Sequence, residues 1–214
     1  MHFQIQQPVH FLPVILEINF DVVPSGTVVN AHYSGVTLQA VPLKNQNPGP
    51  NFGNVFASNA FDQHMADTPP NVVTIDGPPH AAGFDEAGGG IRATFASPQS
   101  YVSIDARPIV YTGEFYEPDP TAVPYMSIYS VPIKLLNNMQ LVHLIATAYF
   151  PLSTADPHFE SWQRIQFSSS SPTPDIGSVV FSSVNAGKGA PVYALFDRLR
   201  FCPHVPAPIT LQIG

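Results

Sequence analysis

Two acidic residues directly follow a phenylalanine at opposite ends of the chain, in Phe20-Asp21 and Phe196-Asp197. Glu17 and Asn19 lie beside the first of them. Calcium takes about six to eight oxygens from carboxylates, carbonyls and waters. A carboxylate from each end of a domain, beside backbone carbonyls, would build such a site and tie the termini together. Strand alternation would set Glu17, Asn19 and Asp21 on one face, opposite Ile18 and Phe20. The same residues also suit solvent-facing positions or turn caps, and spacing alone does not choose between these roles.

A second group mixes aromatic and acidic residues. Residues 112–125 hold Glu114, Phe115, Tyr116, Glu117, Asp119 and Tyr125, with Pro118, Pro120 and Pro124 between them. Sugar rings stack their C–H faces on aromatic planes, while carboxylates accept hydroxyl protons. An apolar wall with a few polar groups is the general pattern of a small-ligand site. Trp162, the single tryptophan, lies near His158 and Phe159 and is a further ligand candidate, although large aromatics usually bury in the core. Asp85-Glu86 and the pair Glu114 and Glu117 are the acids that could serve glycoside hydrolysis. Adjacent acids in loops rich in Gly and Pro are usually solvated, so the expectation is a non-catalytic protein. Cys202-Pro-His204 lacks the second half of a zinc site. Gly88-Gly-Gly90 precedes a predicted strand rather than a helix, so it does not cradle a phosphate.

These residues must be positioned by a β scaffold. Of 214 residues, 24 are proline, about twice the usual ~5%. Proline breaks helices and central strands, so many prolines between short apolar runs mean many turns and edges. Hydrophobic residues make up 44% of the chain, enough for a core, whereas charged residues are 11% against about 25% in an average domain. A net charge of -7 with eight basic residues argues against a nucleic-acid surface. One cysteine excludes an intrachain disulfide. The first residues lack the positive start of a signal peptide, and no run approaches the ~20 apolar residues of a membrane span. The expected location is extracellular or cell-surface if a leader was removed, and cytoplasmic otherwise.

Predicted strands cover 14–20, 35–41, 71–76, 162–167, 176–184 and 192–201. A hairpin is expected from 91–95 and 101–105 about Ser97-Pro98-Gln99, and a second from 126–136 and 139–150 about Asn137-Asn138. Period-two alternation favours strand over helix for 141–150. Residues 44–70, 77–90, 112–125 and 153–161 read as loops, 168–174 as a polar connector, and 203–214 as an edge strand or tail. Without a repeat or an internal linker, residues 1–214 form one domain with its core at about 14–201.

The order of these segments resembles a group of bacterial β-sandwich proteins related to carbohydrate-binding modules, found in exported proteins with a PEP-type sorting tail. Phe20-Asp21, Gly26-Thr27 and Tyr33-Ser-Gly-Val-Thr-Leu38 match its opening pattern. Phe95-Ala-Ser-Pro98-Gln-Ser-Tyr-Val102 matches its middle, and Ala194-Leu-Phe-Asp197-Arg-Leu-Arg-Phe201 its end. The resemblance spans about residues 15–201. It implies an antiparallel jelly-roll β-sandwich, often with a structural calcium near the paired termini, at Asp21 and Asp197 here. It implies, more loosely, lectin-like carbohydrate binding. No sorting tail follows Phe201. The resulting expectation is a carbohydrate- or surface-binding module recognising a glycan or cell-surface ligand. The alternatives are a structural protein that assembles into homo-oligomers and, behind it, a carbohydrate-active enzyme.

Overall fold

Along residues 91–95 apolar side chains alternate with polar ones: Ile91, Ala93 and Phe95 are buried, while Arg92 and Thr94 are exposed. This period of two recurs through the chain, and the computed structural model is built from antiparallel strands. It describes residues 14–42, 54–58, 72–74, 89–111, 116–118, 122–134, 140–150, 162–185 and 193–203. Among these, the one helical segment is a 3-10 turn at Phe20–Val22.

One layer runs β3 (Val36–Pro42), the first half of β6 (Gly89–Tyr111), β13 (Ile176–Asn185), β8 (Ala122–Ser130) and β11 (Leu144–Tyr149). The other centres on the second half of β6. There β12 (Gln163–Ser168) and β7 (Tyr116–Pro118) pair on one side and β14 (Tyr193–Pro203) on the other. On its far side β14 meets β1 (Leu16–Ile18) and β5 (Val72–Thr74), and β5 leads to β4 (Phe56–Ser58) and β2 (Thr27–Val28). β9 (Ile133–Lys134) and β10 (Gln140–Leu141) form a small separate ladder. The architecture is an all-β sandwich of a single domain.

A single core fills the space between the layers. Phe20, Leu38, Ile91, Ile104, Met126, Phe181 and Phe196 are fully buried within it. Phe181 of β13 and Phe196 of β14 bring their rings to 5.0 Å, joining one layer to the other. Burying each such side chain contributes about 1.5–3 kcal/mol.

Several expectations need correction. Residues 91–95 and 101–105 do not form a hairpin, because β6 runs straight through Ser97-Pro98-Gln99. Its neighbours change there instead, from β3 and β13 before the proline to β12 and β14 after it. The β13 ladder skips from Thr94 to Gln99 and the β14 ladder from Tyr101 to Gln99, so neither asks Pro98 for an N–H. The proline marks a corner where one strand passes between layers rather than a reversal. The loop read at 44–70 contains β4, and the loop read at 112–125 contains β7 and the start of β8. The strand read over 14–20 stops at Ile18, where the 3-10 turn takes over, so alternation does not extend to Asn19 and Asp21. Residues 204–214 lie outside the described residues. Within the 139–150 arm, Gln140–Leu141 and Leu144–Tyr149 are strand, pairing back on β9 and β8 as expected.

Candidate functional site

The acids at the two ends both act electrostatically on Tyr33. Asn19 caps the 3-10 turn, its side-chain oxygen accepting the N–H of Asp21 at 2.9 Å. That places Asp21 in the first turn, partly buried. Asp197 comes from a bulge in β14, where the register against β6 shifts between Asp197 and Arg200. Arg198 takes the left-handed region there, at φ 49°. A non-glycine residue pays strain to sit there. The carboxylate of Asp197 accepts the N–H of Arg198 at 2.7 Å, and the guanidinium of Arg200 donates to the Arg198 carbonyl at 3.2 Å. Asp197 itself is 0% exposed. The Tyr33 ring stands edge-on to Phe20, and its buried hydroxyl has no hydrogen-bond partner among the described residues. Burial raises its pKa from 10.0 to about 12, helped by the charges of Asp197 and then Asp21. The fold therefore sets both predicted acids within electrostatic reach of one tyrosine.

Glu17 is engaged elsewhere. It lies opposite Arg200 in the pairing of β1 with β14 and accepts from that guanidinium at 2.6 Å. Arg200 also donates to Asp105 at 2.8 Å, and Asp105 accepts from Arg164 at 3.0 Å. Alternating charges thus cross four neighbouring strands, β1, β14, β6 and β12. The middle pair, Arg200 and Asp105, has side chains only 8% and 7% exposed. Burial alone would lower the pKa of Arg200, but hydrogen bonds to Asp105 and Glu17 outweigh it and hold the guanidinium above its usual value. Among the described residues, no three His, Cys, Asp or Glu side chains are grouped to hold a metal.

The aromatic candidates separate. Glu114 and Asp119 lie outside the described residues, as do Asp85 and Glu86. Tyr116 belongs to β7. Trp162 immediately precedes β12 and is partly buried. Tyr125 sits within β8, opposite Tyr149 of β11, with ring centroids 6.2 Å apart. Tyr149 is 60% exposed. One step along, Ser127 faces Thr147 with their hydroxyl oxygens 3.5 Å apart. Tyr129 follows on the same face of β8, two residues on. Across the other ladder, Ser182 of β13 lies opposite Tyr125 and hydrogen-bonds it. Burial is the main reason that the pKa of Tyr125 is raised; the Ser182 bond lowers it in part, and Tyr129 and Tyr149 raise it further. This face looks away from Met126 and Ile128, which alternate with it into the core.

Tyr33, Tyr129, Tyr149 and Ser182 are site residues that the sequence reading did not select. Tyr149 had a signal: it lies in the hairpin arm expected to return along the segment that holds Tyr125. Tyr33 lies within the Tyr-Ser-Gly-Val-Thr match without any chemical cue.

No family model matches the chain, and no curated protein matches it. Among solved structures it is similar to the Clostridium thermocellum N-terminal endo-1,4-β-D-xylanase 10B, CBM22-1 and GH10 modules complexed with xylohexaose. The identity is 12% and the TM-score 0.33, over 87% of this chain and 27% of that one. The chain therefore spans about a quarter of that protein's length. No helix among the described residues is long and apolar enough to cross a membrane.

Proposed function

We propose that this chain is a non-catalytic carbohydrate-binding module, with the sugar held on the face formed by β8, β11 and β13. The observation that carries this reading is the cross-strand pair Tyr125 and Tyr149, one ring widely exposed, with the half-buried Thr147 hydroxyl beside it. Rings offer stacking planes for the C–H faces of a pyranose, and the half-buried Thr147 hydroxyl can both donate to and accept from its O–H groups, while Ser127 and Ser182 are buried beneath the pair. Both strands hold their side chains in a fixed spacing, so little ordering is needed on binding. A neutral glycan suits this face, which carries hydroxyls and rings rather than ionised groups.

The test is a glycan array followed by titration of each hit with Tyr149→Ala and Tyr125→Ala. Base-type stacking on an aromatic ring is worth about 1–3 kcal/mol, and a sugar ring on Tyr149 should lose a comparable amount, roughly fivefold to a hundredfold in Kd, with an unchanged melting curve. Wild-type affinity in both variants would dismiss the face.

We further propose that a calcium ion pins the chain ends at Asp21 and Asp197. The buried carboxylate of Asp197, the strained bulge that aims it and the unpartnered hydroxyl of Tyr33 support this. Glu17 and Asn19, given to Arg200 and to the amide of Asp21, leave these two acids as its side-chain carboxylates. Main-chain carbonyls and water complete the oxygen shell.

A further inference from the structure

β11 closes its layer, and among the described strands it pairs with β8 alone. The N–H of Phe150 reaches the Pro124 carbonyl at 2.8 Å. Hydrogen-bonded and non-hydrogen-bonded positions alternate along an antiparallel ladder. Ala148 and Ala146 therefore also turn their backbone groups to β8, while Thr147 and Tyr149 turn theirs to the open side. The side chains of this edge are equally uncovered: Leu144 is 57% exposed, Ile145 36% and Tyr149 60%.

Natural edges are usually blunted by charge, proline or a bulge. From Gln140 to Tyr149 there is no Asp, Glu, Lys, Arg, Pro or Gly. The register shift between Leu144 and Ala146 is the single such device in β11, and it stops short of Thr147 and Tyr149.

Open backbone donors and acceptors ask for an extended strand, and charge says which one. The chain carries -7 overall, so two copies repel across most of their surfaces. At this edge they meet with no acid on either side. Antiparallel pairing is also self-complementary: about a two-fold axis at Ala148, Thr147 of one copy faces Tyr149 of the other, and each exchanges its N–H and C=O with its opposite. We propose that the open edge of β11 pairs antiparallel with the same edge of a second copy, giving a homodimer in which one sheet runs through both subunits.

Light scattering on a size-exclusion column tests this. Wild type should show twice the monomer mass. Thr147→Pro removes an open-side N–H at an edge position where proline is tolerated, and Ile145→Lys sets like charges near the junction. Both should run at monomer mass with a wild-type circular dichroism spectrum. Val22→Lys, at another exposed apolar position (73% exposed), should remain dimeric. Monomeric wild type at all concentrations overturns the proposal, as does a dimer that survives both edge variants or dissociates with Val22→Lys. Should the edge variants unfold, amide exchange on wild type decides: protected Thr147 and Tyr149 amides support the dimer, and fast exchange at both overturns it.

Discussion

Tyr33 concentrates the chemistry of the terminal acids in one side chain. Its folded pKa of about 12 stands above the 10.0 of an unperturbed tyrosine, through burial first and then Asp197 and Asp21. The neutral phenol is the form the fold favours. Its contribution is therefore fully present below pH 10 and is lost as pH rises from 10 to about 12. Chemical denaturation across that window should show wild type losing stability more steeply than Tyr33→Phe; parallel curves would dissociate Tyr33 from the acids. Arg200 is the other residue on which much depends. Removing one partner of a buried pair costs about 3–5 kcal/mol, because the remaining charge is left uncompensated. Arg200→Met should approach the lower end of that range, since Arg164 still reaches Asp105. Urea midpoints at neutral pH measure it, and a shift worth under about 1 kcal/mol would mean that the charge ladder is mostly solvated.

At the scale of elements, β13 approaches the residues after β8 closely at Gly177. A Cβ added to Gly177 would lie 2.7 Å from the Cα of Val131 and 2.8 Å from the carbonyl oxygen of Ser130. Both are backbone atoms, which cannot swing aside. The neighbouring bond from the N–H of Val131 to the carbonyl of Asp175, at 2.8 Å, holds the two segments together. Gly177→Ala should therefore destabilise by about 1–3 kcal/mol, the usual cost of overpacking. A melting temperature equal to wild type would show that the strands can part without penalty. The long strand β6 carries a different lesson. Its Ser-Pro-Gln segment has the composition of a turn, yet its two halves bond to different neighbours on either side. Composition reports that Pro98 donates no N–H; only the surrounding ladders decide whether the chain reverses or turns a corner.

For the whole molecule, the last described strand matters because β14 is central to one layer and carries the first described strand, β1, on its far side. β1 pairs with β14, so residues 16–18 and 199–201 are locked in one ladder. A cation shared by Asp21 and Asp197, just beyond that ladder, would act as a clasp on it. A ligand bound only to the native state stabilises by about 2.7 kcal/mol at a hundredfold excess over Kd. Adding calcium should raise the melting temperature, a chelator should reverse the rise, and Asp197→Asn should remove the response. Identical melting curves with calcium and with chelator would take the ion out of the account.

How much of this was legible in the chain follows from the range of the forces involved. Period-two alternation and proline frequency depend on local geometry, so they determined the all-β class and the strand rather than helix character of most of 141–150. The Phe-Asp repeats likewise pointed to two acids that the fold sets around one tyrosine. What lay beyond the sequence was register. A tight turn at Asn137-Asn138 would set Tyr125 opposite Phe150, whereas its observed partner is Tyr149. A slip of one residue exchanges the faces of a strand, so the tyrosine pair exists only once that register is set. The pairing of Glu17 with Arg200, 183 positions apart, has the same origin. Such contacts arise when distant strands are laid side by side, which only the tertiary structure decides.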